Sequence, residues 1–278
     1  MKPLTLVTGS NGKTGSRILS RLIQSEYPVR LGSRIANPTF DWEKPQTWDA
    51  VLKGVNQVYI SFQPDLAIPS ALESIKLFVN RCKAHQVNRL VLLSGRGEPE
   101  CVESERVVQN SGLEWTILRS SWFNQNFSEG MFLDQILDGK VLFPIITVKE
   151  PFVDIDDLAD LAFAALVTNK HVNKLYELTG SELWDFKKAF QLIADETHQE
   201  IPIEEVPLST YLSALKDFGL PKETLDFIEY LFITVFDGRN ESILKDMELA
   251  LGRKTKNFKS YVEETAKTGI WKLREKIT

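Results

Sequence analysis

The chain has 278 residues, of which 43% are hydrophobic and 26% are charged, which is enough for a large α/β domain with a substantial core. Its net charge of −5 and the lack of a cluster of Lys and Arg argue against nucleic-acid binding, and no apolar run has the length of a membrane span or the pattern of a signal peptide. Two cysteines and three scattered histidines give neither a disulfide framework nor metal-ligand spacing, so we expect a metal-free cytoplasmic protein.

The first predicted elements are a strand, a glycine turn and a helix. Residues 4–8 are apolar and β-branched, Gly9, Gly12 and Gly15 follow at three-residue spacing, and the apolar positions over 18–23 form one helical face. Such a turn lets a dinucleotide pyrophosphate approach the backbone at the helix N-terminus. The predicted cofactor-binding residues here are Gly9, Ser10, Asn11, Gly12, Lys13, Thr14 and Gly15.

A P-loop is the rival interpretation of this turn, because Gly12, Lys13 and Thr14 resemble its final residues. That motif needs a glycine five residues before Gly12, and the position holds Val7. The turn therefore predicts a dinucleotide site, not a nucleotide triphosphatase.

A second strand is predicted over 27–32, and its end carries Ser33 and Arg34. An acid at this place would accept hydrogen bonds from the 2′-hydroxyl of NAD, whereas Ser33 and Arg34 offer donors and a positive charge to a 2′-phosphate. Lys13 could add a second cation. The sequence therefore favours NADP(H) over NAD(H).

Residues 40–42 are predicted as a brief third strand and 47–53 as a short helix. Asp41 lies where an acid could accept a hydrogen bond from the adenine amino group, and it is equally suited to capping a turn. A fourth strand is predicted over 57–62. Its end should face the nicotinamide, which adds Ser61, Phe62 and Pro64 to the predicted cofactor-binding residues.

A long helix over 68–86, a strand over 89–94, a helix over 100–111 and a strand over 114–119 complete six strands alternating with helices. This order predicts an α/β fold with a Rossmann-type, doubly wound parallel sheet whose ligand lies beyond the carboxyl ends of the strands. Ser94 ends the fifth strand.

The second half begins with a helix over 158–167, capped by Asp156 or Asp157, and a strand over 175–180 that can extend the sheet edge. We expect an NAD(P)-binding domain over 1–180, of which 123–144 contribute to a substrate lobe, and a smaller, mainly helical substrate-binding lobe over 181–278. The elements predicted in that lobe are helices over 186–197, 208–218, 222–236, 241–251 and 258–267 and a strand over 201–206.

Ordered segments along the whole chain resemble the NmrA-like branch of the atypical short-chain dehydrogenase/reductase superfamily. The segment 40–42 followed by 47–48 is most similar to reductases of ergot-alkaloid pathways and to bacterial NAD(P)H:quinone oxidoreductases. The resemblance implies an NADP(H)-dependent reductase or an NADP(H)-binding regulator. The segments that carry it are 8–15, 32–34, 111–113, 116–119, 122–126, 151–154, 176–180, 237–240 and 251–253.

The superfamily's Tyr-x-x-x-Lys pair is replaced here, because the corresponding register begins with Cys101 and ends with Glu105. A thiol is a poor acid for an alkoxide, and a glutamate does not lower a neighbour's pKa as a cation does. Ser94 occupies the superfamily's usual serine position, so the candidate catalytic residues are Ser94, Cys101 and Glu105, and Ser94 is also a candidate cofactor contact. Cys101 is better explained as a small core residue than as a nucleophile.

Quinones and iminium ions accept hydride with little need for an acid, so we expect an activated acceptor of this kind. The predicted substrate pocket contains Phe62, Trp122, Phe123 and Asn126, although the aromatic residues are also typical of an ordinary core. The partner is then a small molecule, without nucleic acid or membrane. The alternative is a redox sensor that binds NADP(H) without turnover and acts through a protein partner; a scaffold with a vestigial cleft is a weaker third interpretation.

Overall fold

The computed structural model describes residues 2–145 and 147–274. The strands in chain order are β1 (Thr5–Thr8), β2 (Val29–Gly32), β3 (Gln57–Ile60), β4 (Arg89–Gly95), β5 (Glu114–Ser120), β6 (Val141–Phe143), β7 (Lys149–Glu150), β8 (Lys174–Leu178), β9 (Trp184–Asp185) and β10 (Ile203–Glu205). The helices are α1 (Lys13–Gln24), α2 (Trp48–Leu52), α3 (Ala71–Ala84), α4 (Pro99–Gln109), α5 (Leu133–Leu137), α6 (Ile155–Val167), α7 (Phe186–Thr197), α8 (Leu208–Asp217), α9 (Lys222–Tyr230), α10 (Asp246–Leu251) and α11 (Phe258–Ala266).

The chain folds into two compact units that interleave along the sequence. Unit one comprises Met1–Ser120, Ile155–Leu178 and Lys245–Lys254, and unit two comprises Ser121–Asp154, Thr179–Leu244 and Thr255–Thr278. The division expected from the sequence placed one boundary at 180, whereas these contacts assign Lys245–Lys254 to unit one. The reason is local: α10 packs against α6 and β8, which belong to that unit.

Unit one is built on a six-stranded parallel sheet in the order β2-β1-β3-β4-β5-β8, which confirms the predicted α/β fold. Every residue of β1 and β3 is buried, as expected where helices cover both faces of a parallel sheet. The sixth strand is β8, paired with β5.

The predicted strand over 40–42 is wrong. The backbone there is used in turns: the amide of Phe40 donates to the carbonyl of Ser33 at 2.9 Å, and the amide of Asp41 donates to the hydroxyl of Thr47 at 3.2 Å. Because these amides already have hydrogen-bond partners, residues 40–42 do not pair with a strand of the sheet. The segment therefore forms a loop.

Two helix starts also differ from the prediction. Because α6 begins at Ile155, Asp156 and Asp157 lie in its first turn and do not cap it. The carboxylate of Asp157 accepts from Arg253 at 2.5 Å. The helix predicted from 241 begins only at Asp246, since the backbone of Leu244 is held by the Thr179 hydroxyl at 2.9 and 3.1 Å.

Unit two combines helices α5, α7, α8, α9 and α11 with two small sheets, β6 paired with β10 and β7 paired with β9. The strands β6, β7 and β9 are too short for a periodic sequence signal, so the sequence did not predict them. The unit's core is aromatic, with edge-to-face ring pairs that give it a defined packing. Among the residues that the structure describes, no helix is both long enough and apolar enough to cross a bilayer.

Candidate nucleotide site and its neighbours

The glycine turn between β1 and α1 is a backbone cradle. Gly9 has φ +64°, and its carbonyl accepts from the amide of Gly12 at 2.8 Å. A Cβ on Gly15 would stand 2.2 Å from that same carbonyl oxygen, so only glycine fits there. The N-cap of α1 is Gly12, which makes no side-chain capping bond, and the first amides of the helix therefore have no side-chain cap.

The turn is tied to the end of β3 by Thr8. The Thr8 hydroxyl donates to the Tyr59 carbonyl at 3.1 Å and accepts from the Ser61 amide at 2.9 Å. Ser10 is buried, and its hydroxyl has no hydrogen-bond partner among the described residues. Buried hydroxyls are normally satisfied, so this one adds an open hydrogen-bonding group to the cradle.

A cavity of about 610 Å³ opens in unit one, above the ends of the first three strands. Its size lies within the range of small-molecule sites. Seven of the predicted cofactor-binding residues line it: Gly9, Asn11, Gly12, Ser33, Arg34, Asp41 and Pro64. The wall also includes residues that the sequence reasoning missed: Gly32, Ile35, Phe40, Trp42, Glu43 and Gln63.

Among the missed wall residues, Gly32 ends β2 and the others lie in the loops that follow β2 and β3, so their position along the chain was the available signal. Gly32 has a further reason to be glycine, because a Cβ there would stand 2.7 Å from the Val7 carbonyl oxygen. Of the other predicted residues, Ser10, Lys13, Thr14, Gly15 and Ser61 belong to the turn or its supports and do not line the cavity wall. The bare backbone at Gly12, the close approach at Gly15 and the polar wall all suit a dinucleotide phosphate.

The cavity wall carries both signs of charge. Arg34 is exposed and makes no hydrogen bond or ion pair with any residue in the described ranges. Asp41 also lines the cavity, while its carboxylate accepts from the amide of Glu43 at 3.1 Å and lies 3.5 Å from the Lys44 ammonium. Asp41 therefore caps its turn and faces the cavity at once.

Trp42 forms the aromatic part of the wall. Its indole Nε1 donates to the Ser61 carbonyl at 3.1 Å, and its ring lies 4.8 Å from that of Phe62. Phe62 is buried within the core of unit one, with Trp42 among its neighbours. Of the two interpretations of Phe62, this packing favours the core residue.

Ser94 and Glu105 meet in one hydrogen-bonded chain at the carboxyl ends of β4 and β5. The Ser94 hydroxyl lies 2.6 Å from Glu105 Oε1, and Arg119 donates to both Glu105 oxygens at 2.9 and 2.5 Å. Arg119 also donates to Glu177 at 2.6 Å. The hydrogen bonds from Arg119 to Glu105, and then to Glu177, raise the pKa of Arg119 above its usual range.

Cys101 is fully buried, and its thiol lies 3.6 Å from Glu98 Oε2. Burial, followed by the charges of Glu98 and Asp65, raises the pKa of this thiol far above its usual range. A thiol that stays protonated is a weak nucleophile, so the core interpretation of Cys101 is the better one.

The sequence reasoning missed the acidic pair beside that thiol. Asp65 follows β3 and Glu98 follows β4, and their carboxyl oxygens and the Cys101 sulfur all lie within 4.8 Å of one another. Burial, with the neighbouring Asp65, raises the pKa of Glu98 to about 9, and burial raises that of Asp65 as well. The pair therefore retains a proton at neutral pH, and their separation of 33 positions in the sequence gave no signal.

The remaining predicted substrate residues lie in unit two. The ring of Trp122 lies 4.6 Å from that of Phe236 and stacks on Phe132 at 6.0 Å. Phe123 forms a β-bridge with Val153, and its carbonyl accepts from the Asn126 amide at 3.1 Å. Trp122, Phe123 and Asn126 thus lie in one short segment of unit two.

Comparison with known proteins adds independent information. Residues 9–167 match the family described as NAD(P)H-binding. The chain is 26% identical to Prestalk A differentiation protein A of Dictyostelium discoideum, over 94% of this chain and 91% of that protein. It is also 26% identical to agroclavine dehydrogenase of Claviceps fusiformis, over 97% and 99% of the two chains.

A crystal structure of the NADPH-dependent quinone oxidoreductase of Escherichia coli, in complex with NADPH, has a similar fold. The TM-score is 0.79 at 18% sequence identity, and the match covers 94% of this chain and 99% of that one. The similarity extends over both units and supports the fold as a whole.

Proposed function

Since the chain belongs to the NmrA-like, NAD(P)H-binding family of atypical short-chain dehydrogenases/reductases, we propose that it transfers hydride from NADPH to an activated small-molecule acceptor such as a quinone or an iminium ion. Family membership, predicted above from sequence motifs, is confirmed by the match over 9–167. The observation that carries the proposal is the glycine cradle opening onto a cavity with Arg34 in its wall.

The chain's own residues have two tasks in this proposal. The backbone at Gly9 to Gly15 and the N-terminus of α1 would hold the pyrophosphate. Arg34 and Ser33 would hold the 2′-phosphate, which favours NADPH, although Asp41 and Glu43 in the same wall make this preference a matter for measurement. When bound, the nicotinamide supplies the hydride.

The acceptor class follows from the absence of a conventional acid at the expected register. Cys101 is buried against Glu98, and Glu105 is paired with Arg119, so neither provides the tyrosine and lysine chemistry. Positioning an electrophilic acceptor against the nicotinamide is then the main contribution left to the protein. The agroclavine dehydrogenase and quinone oxidoreductase relatives support this choice.

A redox sensor that binds NADP(H) without turnover is the second candidate. The same replacement of the Tyr-x-x-x-Lys pair favours it, and so does the relative whose name refers to prestalk differentiation. In that case a protein partner would recognise whether the bound nucleotide is oxidised or reduced.

One experiment separates the candidates. Calorimetric titration of nucleotide-free protein with NADPH, NADP⁺, NADH and NAD⁺ is followed by an acceptor screen with quinones and cyclic iminium ions. We expect tightest binding of NADPH and oxidation of NADPH by at least one acceptor. Binding without turnover, or tighter binding of an oxidised nucleotide, would support the sensor. If none of the four nucleotides binds, the assignment of the glycine turn as a nucleotide site is refuted.

A further inference from the structure

The hydrogen bond between Ser94 and Glu105 has a fixed direction. An ionised carboxylate has acceptor sites only, and a serine hydroxyl has one proton. At 2.6 Å the Ser94 hydroxyl must therefore donate to Glu105 Oε1. The proton that a catalytic serine would donate to a substrate oxygen is already donated to Glu105.

Arg119 keeps Glu105 in this acceptor role. Glu105 is 1% exposed, and Arg119 donates to both of its oxygens, at 2.9 and 2.5 Å. Arg119 is anchored in turn by Glu177 at 2.6 Å. Two donors from one guanidinium fix the carboxylate plane, and such charge-assisted, bidentate bonds are strong.

We propose that Ser94 acts in this protein as a hydrogen-bond acceptor for an N–H or O–H group of a ligand at the carboxyl end of β4, held in that role by Glu105 and Arg119. Ser94 then contacts the ligand, and Glu105 and Arg119 are positioning residues. The inference rests on the proposed function, since it needs a nicotinamide nucleotide and its acceptor at the carboxyl end of β4, where Ser94 is 4% exposed.

A Ser94 oxygen that only accepts hydrogen bonds would select among substrates. An oxygen with only lone pairs to offer repels a carbonyl or alkoxide oxygen and attracts a donor. Two ligand groups can provide that donor: the carboxamide N–H of the nicotinamide, or an N–H or O–H on the acceptor molecule. The shared chemistry is a neutral donor.

The first arm of the test measures binding without turnover. Dissociation constants of NADP⁺ and of its 3-acetylpyridine analogue, which has a methyl ketone in place of the carboxamide, are compared in wild type and Ser94→Ala by calorimetry. If the nicotinamide is the donor, Ser94→Ala weakens NADP⁺ binding about fivefold and leaves the analogue unchanged. Ser94→Thr, which keeps a hydroxyl, should restore the difference.

Ser104→Ala is the matched control. Ser104 is fully buried on α4, beside Glu105 in sequence, and its hydroxyl has no partner among the described residues. The Ser104→Ala variant also loses one serine hydroxyl, but it leaves the hydrogen bond between Ser94 and Glu105 intact. Both dissociation constants should therefore stay as in wild type.

The second arm measures steady-state kinetics with acceptors that carry or lack an N–H or O–H group. If the acceptor molecule is the donor, Ser94→Ala raises KM about fivefold for the first group alone and leaves kcat unchanged. Glu105→Gln should reduce the same discrimination, because an amide nitrogen can donate to Ser94 and turn its proton outward. If Glu105→Gln does not fold, the Ser94 variants still decide the question.

Two results would overturn the inference. One is a Ser94→Ala protein whose binding and KM match wild type for every ligand. The other is an equal loss of kcat for all acceptors with a larger solvent isotope effect, which would make Ser94 a proton donor. Wild-type protein that binds none of the nucleotides refutes the proposed function itself, so the two failures are distinguishable.

Discussion

The carbonyl oxygen of Gly9 lies where a side chain at Gly15 would begin. A Cβ on Gly15 would stand 2.2 Å from that oxygen, and the Gly9 carbonyl also accepts from the amide of Gly12 at 2.8 Å. The first turn of α1 therefore rests directly on the turn that follows β1. This contact sets the distance between the helix N-terminus and the turn.

Gly15→Ala should push α1 away from this turn. We expect a loss of about 1–3 kcal/mol in the free energy of unfolding and at least tenfold weaker NADPH binding. Chemical denaturation and calorimetry measure the two effects. Gly54→Ala is the control: Gly54 has φ +75° with no atom within 4 Å of a Cβ, so it should lose about 1 kcal/mol of stability and no affinity. Equal affinity for NADPH in Gly15→Ala and wild type would contradict the phosphate assignment.

Arg34→Asp tests the 2′-phosphate contact. Because Arg34 is exposed on the cavity wall, its removal should leave stability unchanged. NADPH affinity should fall by about tenfold to a hundredfold, the value of a charge-assisted phosphate contact, while NADH affinity changes little. Arg106→Asp, at an exposed position on α4, is the control for net charge. If NADPH and NADH weaken equally, Arg34 does not recognise the 2′-phosphate.

Glu98 makes stability depend on pH. Burial raises its pKa from 4.5 to about 9, so the folded protein retains a proton that the unfolded chain loses. Since the native state then binds more protons, the free energy of unfolding falls as the pH rises between these values. Glu98→Gln removes the titrating group and with it this loss of stability at high pH. The stability of the variant relative to wild type should therefore increase from pH 5 to pH 9.

Urea denaturation at pH 5.5, 7 and 8.5 measures this difference. The control is Glu229→Gln, at an exposed position of α9, whose offset from wild type should be the same at each pH. A Glu98→Gln offset that is also independent of pH would show that Glu98 is ionised in the folded protein.

Trp42 should report nucleotide binding. Its ring lines the cavity, so energy transfer to a bound reduced nicotinamide nucleotide should quench its emission. We expect Trp42→Phe to lose most of the NADPH-dependent quenching, with binding checked by calorimetry. Trp115→Phe, at the start of β5, should keep it. Full quenching in Trp42→Phe would place the nucleotide away from this wall.

The fold was predictable where local and global signals agree. The apolar strand β1, the glycines and the amphipathic α1 each favour the same structure over consecutive residues, and α7 was predicted with its observed bounds of Phe186–Thr197. The error at 40–42 arose because Phe40 and Trp42 are typical of strands, while hydrogen bonds to Ser33 and Thr47 decide that they form a loop.

The candidate site likewise contains residues whose positions the sequence predicts and residues whose contacts it does not. Gly9, Asn11, Gly12 and Arg34 are positioned by the ends of their own strands, so their location at the cavity followed from strand order. The Ser94 and Glu105 hydrogen bond, and the pairing of Asp65 with Glu98, depend on the neighbouring strand ends and on α4. No periodicity predicts them.

By itself, the sequence predicted a Rossmann-type sheet, which the structure confirms, because the strand and helix patterns lie in short stretches of the chain. A dinucleotide turn, and Cys101 and Glu105 in place of a Tyr-x-x-x-Lys pair, are further predictions from the sequence alone. Only the tertiary structure decided the surroundings of Cys101 and Glu105. It buried Cys101 against Glu98, and it bound Glu105 to Arg119 and to the Ser94 hydroxyl. Partners far apart in sequence set these protonation states and hydrogen-bond directions, because charge and burial act through space.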